Sequence, residues 1–147
     1  MEDKPVDGET RRIIEEDIYA EYLGAELEDL SQGRARVILK LEPRHVNFMG
    51  LIHGGVMFSL ADIAFGAAAN SFGTRAMALQ VNIDFLAPPR SDDIIAAEVK
   101  LVSRAGKMGF YDMNVSDSRG VVVARCSGWA YHTGKPLLEE KKVGSKD

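Results

Sequence analysis

Residues 47–71 read NFMGLIHGGVMFSLADIAFGAAANS and contain the longest apolar stretch of the chain. Between residues 54 and 70 there is no Lys or Glu, although a surface helix normally carries such residues on its exposed face. Ser59 and Asp62 interrupt the stretch, which is also shorter than the roughly 20 residues that span a membrane. We therefore expect one long helix, about residues 54–72, that is buried on nearly all sides.

Strand-like segments lie on both sides of this helix. Before it, residues 25–30 and 34–41 alternate between apolar and polar positions around a Ser-Gln-Gly turn, which predicts a hairpin. Four more segments follow the helix, at about 76–87, 94–103, 108–117 and 121–132. One apolar helix followed by an antiparallel meander predicts an α+β fold. In that fold an antiparallel sheet of about five to six strands wraps around the central helix.

The two ends of the chain differ from this middle part. Residues 1–8 are charged and include a proline and a glycine, so we expect them to be disordered. Residues 9–22 have apolar positions at helical spacing, with Thr10 as the expected cap. We expect a single domain over residues 9–134 and a flexible, charged tail over residues 135–147.

Charge and composition narrow the function. The net charge is −4, and residues 1–31 hold eleven acidic residues against three basic ones. An acidic protein without a basic stripe is not expected to bind nucleic acid. The single Cys126 excludes an internal disulfide, and the acidic first residues contain no apolar signal core. These features predict a cytoplasmic protein that is not bound to a membrane.

A carboxylate interrupts the apolar helix. Asp62 belongs to a row of small and polar residues at helical spacing, together with Gly55, Ser59, Gly66 and Asn70. Such a row is typical of a close contact or a cleft, although it is also compatible with a face in contact with water. If Asp62 is shielded, its pKa must rise or its charge must be paired. A shielded carboxylate of this kind is the usual state of a catalytic acid, base or nucleophile.

The sequence His53-Gly54-Gly55 precedes and opens the helix. The first N–H groups of a helix have no partner within it and can donate to a carbonyl or an oxyanion. Paired glycines are equally able to make only a tight turn. His53 and Asp62 are nine residues apart, or about 13 Å along a helix. If both serve one site, they must come from two subunits with antiparallel helices around a two-fold axis.

Three segments resemble a known family. Residues 47–71, then VNIDFLAPPRSDDIIAAEV at 81–99 and, more loosely, residues 104–134 resemble the HGG-type thioesterases of the 4-hydroxybenzoyl-CoA thioesterase superfamily. The similarity is greatest to the phenylacetate-pathway (PaaI-type) subfamily. The specific signal is the spacing of Asn47, the His-Gly-Gly motif and the Leu-Ala-Asp motif that ends at Asp62.

The resemblance implies a hotdog fold and the hydrolysis of acyl-CoA thioesters without a cofactor. It also implies a homodimer through the central helices that usually pairs into a homotetramer. Asp62 matches the nucleophile or general base, and the N–H of Gly54 or Gly55 matches the group that polarises the thioester carbonyl. His53 and Asn47 match residues that position the thioester or the attacking water. The acyl group is not specified by the sequence: aromatic groups such as phenylacetyl or hydroxyphenylacetyl, medium-chain groups and promiscuous use all remain open.

Further residues are expected to bind substrate. Related enzymes often carry a Ser or Thr on the strand after the helix, where this chain has Gln80. Met57 and Phe58 are expected in the wall of the acyl pocket. Cationic and glycine residues are expected to receive coenzyme A, namely Arg90, Arg104, Gly106 and Lys107.

Other functions remain to be weighed. A non-catalytic acyl-CoA sensor on the same fold would keep the ligand groove, but it would have no use for an isolated carboxylate. A dehydratase would need a base beside the acyl α or β carbon. The three histidines show no metal-ligand spacing, so no metal site is expected. Cys126 lies in an apolar strand and is expected to be an inert core residue.

Overall fold

The computed structural model describes residues 3–138, which form three α-helices and six β-strands. The helices are α1 (Gly8–Glu15), α2 (Ile18–Leu23) and α3 (Gly54–Asn70), and a short 3-10 helix lies at Pro43–His45. The strands are β1 (Ala25–Ser31), β2 (Arg34–Lys40), β3 (Thr74–Phe85), β4 (Ile94–Ala105), β5 (Met108–Ser116) and β6 (Val122–Pro136).

The six strands form one antiparallel sheet in the order β1-β2-β4-β5-β6-β3. Strands β1 and β3 are therefore its two edges. The sheet packs around α3, which contacts every strand. The expected α+β fold with a sheet wrapped around a central helix is confirmed.

The core lies between α3 and the inner face of the sheet. Strand β5 alternates between buried and half-buried residues along its length, as a strand that covers a helix must. Tyr111 on β5 is fully buried, and its ring centroid lies 5.2 Å from that of Phe65 on α3. Cys126 on β6 is buried, and burial raises the pKa of its thiol to about 11. Cys126 is therefore a core residue and a poor nucleophile at neutral pH.

A buried polar pair lies at one end of this core. The Tyr111 hydroxyl is 3.0 Å from Nε2 of His132, and both side chains are almost completely enclosed. A side chain at Gly109 would come within 2.8 Å of the same nitrogen, so glycine is required there. The other ring nitrogen, Nδ1, has no hydrogen-bond partner among residues 3–138. Desolvation lowers the pKa of His132, so the imidazole is neutral at pH 7.

The N-terminal region differs from its prediction. The single helix expected over residues 9–22 is two helices, because Asp17 caps a new one by accepting from the N–H of Ala20 at 3.0 Å. Asp7, rather than Thr10, caps the first helix. The segment before α1, expected to be disordered, makes contacts of its own, since the Lys4 carbonyl accepts from the N–H of Gln32 at 2.9 Å.

Helix α3 ends at Asn70, two residues earlier than expected. The Asn70 amide accepts from the N–H of Ala76 and donates to the Ala76 carbonyl, and so ties the end of the helix to β3. No helix within residues 3–138 is long and apolar enough to cross a membrane. Most of the flexible tail expected over 135–147 lies outside the described residues.

Candidate active site at helix α3

The start of α3 is capped by a histidine. His53 is the N-cap residue, and its Nδ1 accepts a hydrogen bond of 2.8 Å from the N–H of Gly55. A neutral imidazole that accepts through Nδ1 carries its proton on Nε2. The exposed His53 side chain therefore presents an N–H donor beside the helix start. A Cβ at Gly55 would lie 3.0 Å from Nδ1, so glycine makes room for the ring.

The two glycine N–H groups of the motif differ in their partners. The N–H of Gly55 is already bonded to His53, whereas the N–H of Gly54 has no acceptor among the described residues. Of the two predicted donors, Gly54 is therefore the one that is free to polarise a carbonyl. The Phe85 ring packs against Gly54, where an added Cβ would approach it to 3.2 Å.

Asn47 holds the loop that precedes this helix. Its side-chain oxygen accepts from the N–H groups of Met49 and Leu51 at 2.9 and 3.1 Å. Because this oxygen is already bonded, only the NH₂ group of Asn47 is left for the predicted role of positioning substrate or water. The loop it fastens carries Phe48 fully into solvent, at 96% exposure.

Asp62 lies on the face of α3 that points away from the sheet. Its side chain lines a groove of about 730 Å³ between α3 and the N-terminal helices, together with Gly66 and Asn70 from the same predicted row. Desolvation raises the pKa of Asp62, and the negative charge of Asp17 raises it further. No Lys or Arg lines this groove within the described part of the chain. Asp62 is nevertheless exposed in the single chain, so the expected shielding is only partial, while the pKa changes in the direction that a poorly solvated carboxylate requires.

The N-terminal helices are part of the site, which the sequence did not predict. The Tyr19 hydroxyl on α2 lies 3.0 Å from the Ser59 hydroxyl, so the small row on α3 receives α2 of the same chain. Asp17 at the start of α2 also lines the groove. The spacing Asp17 to Ala20 is a recognisable cap signal. It was missed because apolar residues continue at helical spacing across it.

Two of the predicted substrate-binding residues are not near the groove. Met57 is 4% exposed and belongs to the hydrophobic core, so in this chain it offers almost no surface to a ligand. Gln80 on β3 lies opposite Trp129 on β6 in the sheet. Gly128, the residue before Trp129, faces Phe65 on α3, and side chains alternate along a strand. Trp129 and its partner Gln80 are therefore on the sheet face away from α3. Phe58 is half-buried on α3.

The predicted coenzyme A residues are divided between the two ends of the sheet. Arg90 lines an open cleft of about 460 Å³ with Gly50 and Leu51, close to the start of α3. The β4–β5 turn lies at the other end, where the Lys107 carbonyl accepts from the backbone N–H of His132 at 2.7 Å. The His132 ring also makes an edge contact with Phe72, just beyond α3. In that turn Arg104 donates to the carbonyl of Gly106 at 3.1 Å. One chain therefore does not bring these cations together.

The described residues contain no group of three or more His, Cys, Asp or Glu that could hold a metal ion. At α3 the described residues present a carboxylate, the side chain of His53 and the backbone N–H groups at the helix N-terminus.

The family of the chain follows from its sequence and fold together. The thioesterase superfamily matches residues 49–124, which run from the loop before α3 into β6. The chain belongs to this superfamily, and it is a thioesterase of the hotdog fold.

Particular relatives are similar over most of their length. The acyl-coenzyme A thioesterase PaaI of Escherichia coli is 32% identical over 128 residues, which cover 87% of this chain and 91% of that protein. A putative esterase of Archaeoglobus fulgidus is 33% identical over 115 residues, 78% of this chain and 75% of that protein.

Two solved structures show the same fold. One is the Escherichia coli PaaI protein from the phenylacetic acid degradation operon, with a TM-score of 0.83 at 30% identity, covering 87% of this chain and 93% of that one. The other is a hypothetical thioesterase of Streptococcus pneumoniae with coenzyme A, with a TM-score of 0.72 at 25% identity, covering 76% and 90%.

Proposed function

We propose that this protein hydrolyses acyl-CoA thioesters to a free acid and coenzyme A, with Asp62 as nucleophile or as general base for water. The observation that carries the proposal is the Asp62 carboxylate in a groove without cations, with a pKa raised by desolvation and by Asp17. The names of the relatives support the substrate class, since one is an acyl-coenzyme A thioesterase and another was solved with coenzyme A.

The reaction needs a donor for the carbonyl oxygen as well as a carboxylate. The free N–H of Gly54 and the Nε2–H of His53 are the donors at the start of α3, where the helix dipole also favours negative charge. In the reaction Asp62 attacks the carbonyl carbon or removes a proton from attacking water. The tetrahedral intermediate then expels the thiolate of coenzyme A, which is a good leaving group and needs little acid assistance. If water was the nucleophile, this step gives the free acid directly. If Asp62 was the nucleophile, it leaves an anhydride of Asp62 and the acyl group, which water then hydrolyses to the free acid and the Asp62 carboxylate.

These donors and Asp62 come from two subunits of a homodimer. On one helix Gly54 and His53 lie eight and nine residues from Asp62, about 12 and 13 Å, which is too far for one carbonyl to contact a donor and the carboxylate together. Strand β3 is an edge strand with exposed apolar residues, among them Met77, Leu79 and Phe85. An edge of this kind is suited to pairing with another strand. Antiparallel pairing of two β3 strands would place the 104–107 turn of one subunit near the helix start and Arg90 of the other.

That arrangement would reunite the divided coenzyme A residues, with cations from both ends of the sheet around one substrate. The homodimer is in turn expected to pair into a homotetramer. For the acyl group, aromatic substrates such as phenylacetyl-CoA and hydroxyphenylacetyl-CoA are the first candidates, because a relative belongs to a phenylacetic acid degradation operon.

The test is thiol release from phenylacetyl-CoA and hexanoyl-CoA by wild type, Asp62→Asn and the control Asp29→Asn. Asp29 is an exposed carboxylate on β1, outside the groove, so its variant removes the same charge elsewhere. We expect kcat to fall by about a hundredfold or more in Asp62→Asn and to stay within about twofold in Asp29→Asn.

Folding is checked on the same samples. A carboxylate whose pKa is raised by the fold destabilises the folded state once it is ionised, so Asp62→Asn should have a Tm equal to or above that of wild type. Unchanged turnover in Asp62→Asn would remove Asp62 from the chemistry. Tight binding of acyl-CoA without hydrolysis of any thioester by wild type would favour the non-catalytic sensor instead.

A further inference from the structure

The groove beside Asp62 extends well beyond the carboxylate itself. It runs beneath α1 and α2, and its volume of about 730 Å³ is in the range of small-molecule sites. The reaction proposed above uses only the position of Asp62 at its wall. Apolar side chains from both sides make up much of the remaining lining, namely Ile13, Ile14, Leu27, Ile63 and Ala67.

We propose that this groove holds the acyl group of the substrate and that its carboxylates restrict the protein to acyl groups without a negative charge. This inference rests on the proposed thioesterase function and adds the substrate class. It assigns the selection of substrate to the N-terminal helices, which form one side of the groove.

The position of Asp62 is the first reason. Whether Asp62 attacks the thioester or activates water, the carbonyl carbon must come close to its carboxylate. The acyl group begins at that carbon. Gly66, one helical turn further along α3, lines the same groove, and a Cβ added there would meet no atom within 4 Å. The space next to the reacting carbon is therefore open in the direction of the apolar lining.

The chemistry of the lining is the second reason. Ile13 and Ile14 on α1 and Ile63 on α3 all line the groove. Each methylene that moves from water into such surroundings is expected to improve binding by about fourfold. A six-carbon or aromatic acyl group would therefore be bound more tightly than an acetyl group.

The charge of the groove is the third reason. Besides Asp62, the carboxylates of Asp17, Glu21 and Glu26 line it, and Glu15 does so while paired with Arg11 at 2.7 Å. No Lys or Arg is among the lining residues of the described chain. A second carboxylate at the far end of an acyl chain would lose its hydration and meet charges of the same sign. A neutral acyl group avoids both costs.

The charge selection is tested with hexanoyl-CoA and adipoyl-CoA, which have six acyl carbons each and differ in a terminal methyl against a terminal carboxylate. For wild type we expect kcat/KM to be at least tenfold higher for hexanoyl-CoA. In Glu21→Gln/Glu26→Gln this preference should fall by about threefold or more. The control Glu9→Gln/Glu16→Gln removes the same charge from residues of the same region that do not line the groove, and it should keep the wild-type preference.

The location of the acyl group is tested by filling the groove. In Gly66→Leu we expect kcat/KM for hexanoyl-CoA to fall at least tenfold more than kcat/KM for acetyl-CoA, with Gly66→Ala intermediate. Circular dichroism and the molar mass in solution confirm that each variant is folded and assembled as wild type is.

The outcomes separate this inference from the function on which it rests. If wild type hydrolyses no thioester, the proposed function fails. If wild type is active but Gly66→Leu lowers kcat/KM for all acyl lengths equally, the acyl group lies elsewhere and the inference is overturned. An unchanged hexanoyl-to-adipoyl preference in Glu21→Gln/Glu26→Gln overturns the charge selection.

Discussion

The two faces of α3 differ in what they contact and in how much of each is buried within one chain. The face toward the sheet is fully enclosed within one chain, with side chains at 0% exposure at Leu60, Ala61, Ala64, Phe65 and Ala68. The opposite face is open at Gly55, Asp62 and Gly66 and is only partly covered by α2. One helix thus serves the core on one side and the candidate chemistry on the other.

The difference indicates which substitutions each face tolerates. On the sheet face, space is already filled and every change of volume alters the stability of the fold. On the groove face, space is open and changes should alter activity more than stability. The following substitutions test whether the two faces are separable in this way.

The largest effect is expected for Phe65→Ala on the sheet face. Its ring packs on Tyr111 and leaves so little room that a Cβ at Gly128 would come within 2.7 Å of it. Removing the ring should lower the free energy of unfolding by about 3–5 kcal/mol. Chemical denaturation measures this directly. A loss below about 1 kcal/mol would mean that the sheet face is not the packed core described above.

A smaller effect, on activity, is expected for Gly55→Ala at the start of α3. The added Cβ would lie 3.0 Å from Nδ1 of His53 and displace the imidazole that caps the helix. We expect kcat to fall by about tenfold with KM changed less, because the donor acts mainly in the transition state. Steady-state kinetics test this, and full kcat in the variant would show that the position of His53 does not matter.

Asp17→Asn should change the pH dependence without unfolding α2, because Asn caps helices as well as Asp does. Asp17 raises the pKa of Asp62 through its negative charge. Without that charge the pKa of Asp62 should fall, so the acidic limb of the kcat/KM profile should move to lower pH. Asp7→Asn, the same substitution at the cap of α1, is the control and should leave the limb in place. A limb that does not move in Asp17→Asn would contradict the coupling.

The smallest effect is expected for Gly66→Ala on the groove face. Its Cβ would meet no atom within 4 Å, and alanine is the better helix former. The free energy of unfolding should rise by about 0.5–1 kcal/mol. A thermal melt against wild type is sufficient, and a destabilised variant would show that this face is covered more closely than the single chain indicates.

The sequence predicted the sheet face better than the groove face. The absence of Lys and Glu from α3 and the alternation in β2 and β5 are local signals, and both the buried helix and the strands were correctly expected. For Asp62 the sequence predicted pairing or a raised pKa only if the carboxylate was shielded; its pKa is raised, while the residue stays exposed in the single chain.

The groove itself could not be predicted from the sequence. Its other wall comes from α1 and α2, and the pairing of Tyr19 with Ser59 joins residues 40 positions apart. The burial of Met57 and the outward direction of Gln80 depend on the rotation of α3 and on irregular pairing in β3 between Ala78 and Gln80. Such details are decided by tertiary packing and carry no local signal. The expected cytoplasmic location stays a prediction.

The enclosed pair of Tyr111 and His132 sets an acid limit for the whole fold. In the unfolded chain His132 takes up a proton near pH 6.5, whereas desolvation holds its pKa lower in the folded state. The folded protein therefore binds fewer protons than the unfolded chain below that pH, and protons favour unfolding. The contribution of this histidine to stability is complete above pH 6.5 and is lost as the pH falls through its folded pKa. The free energy of unfolding should consequently decrease as the pH is lowered from 7 through 6.5 and below.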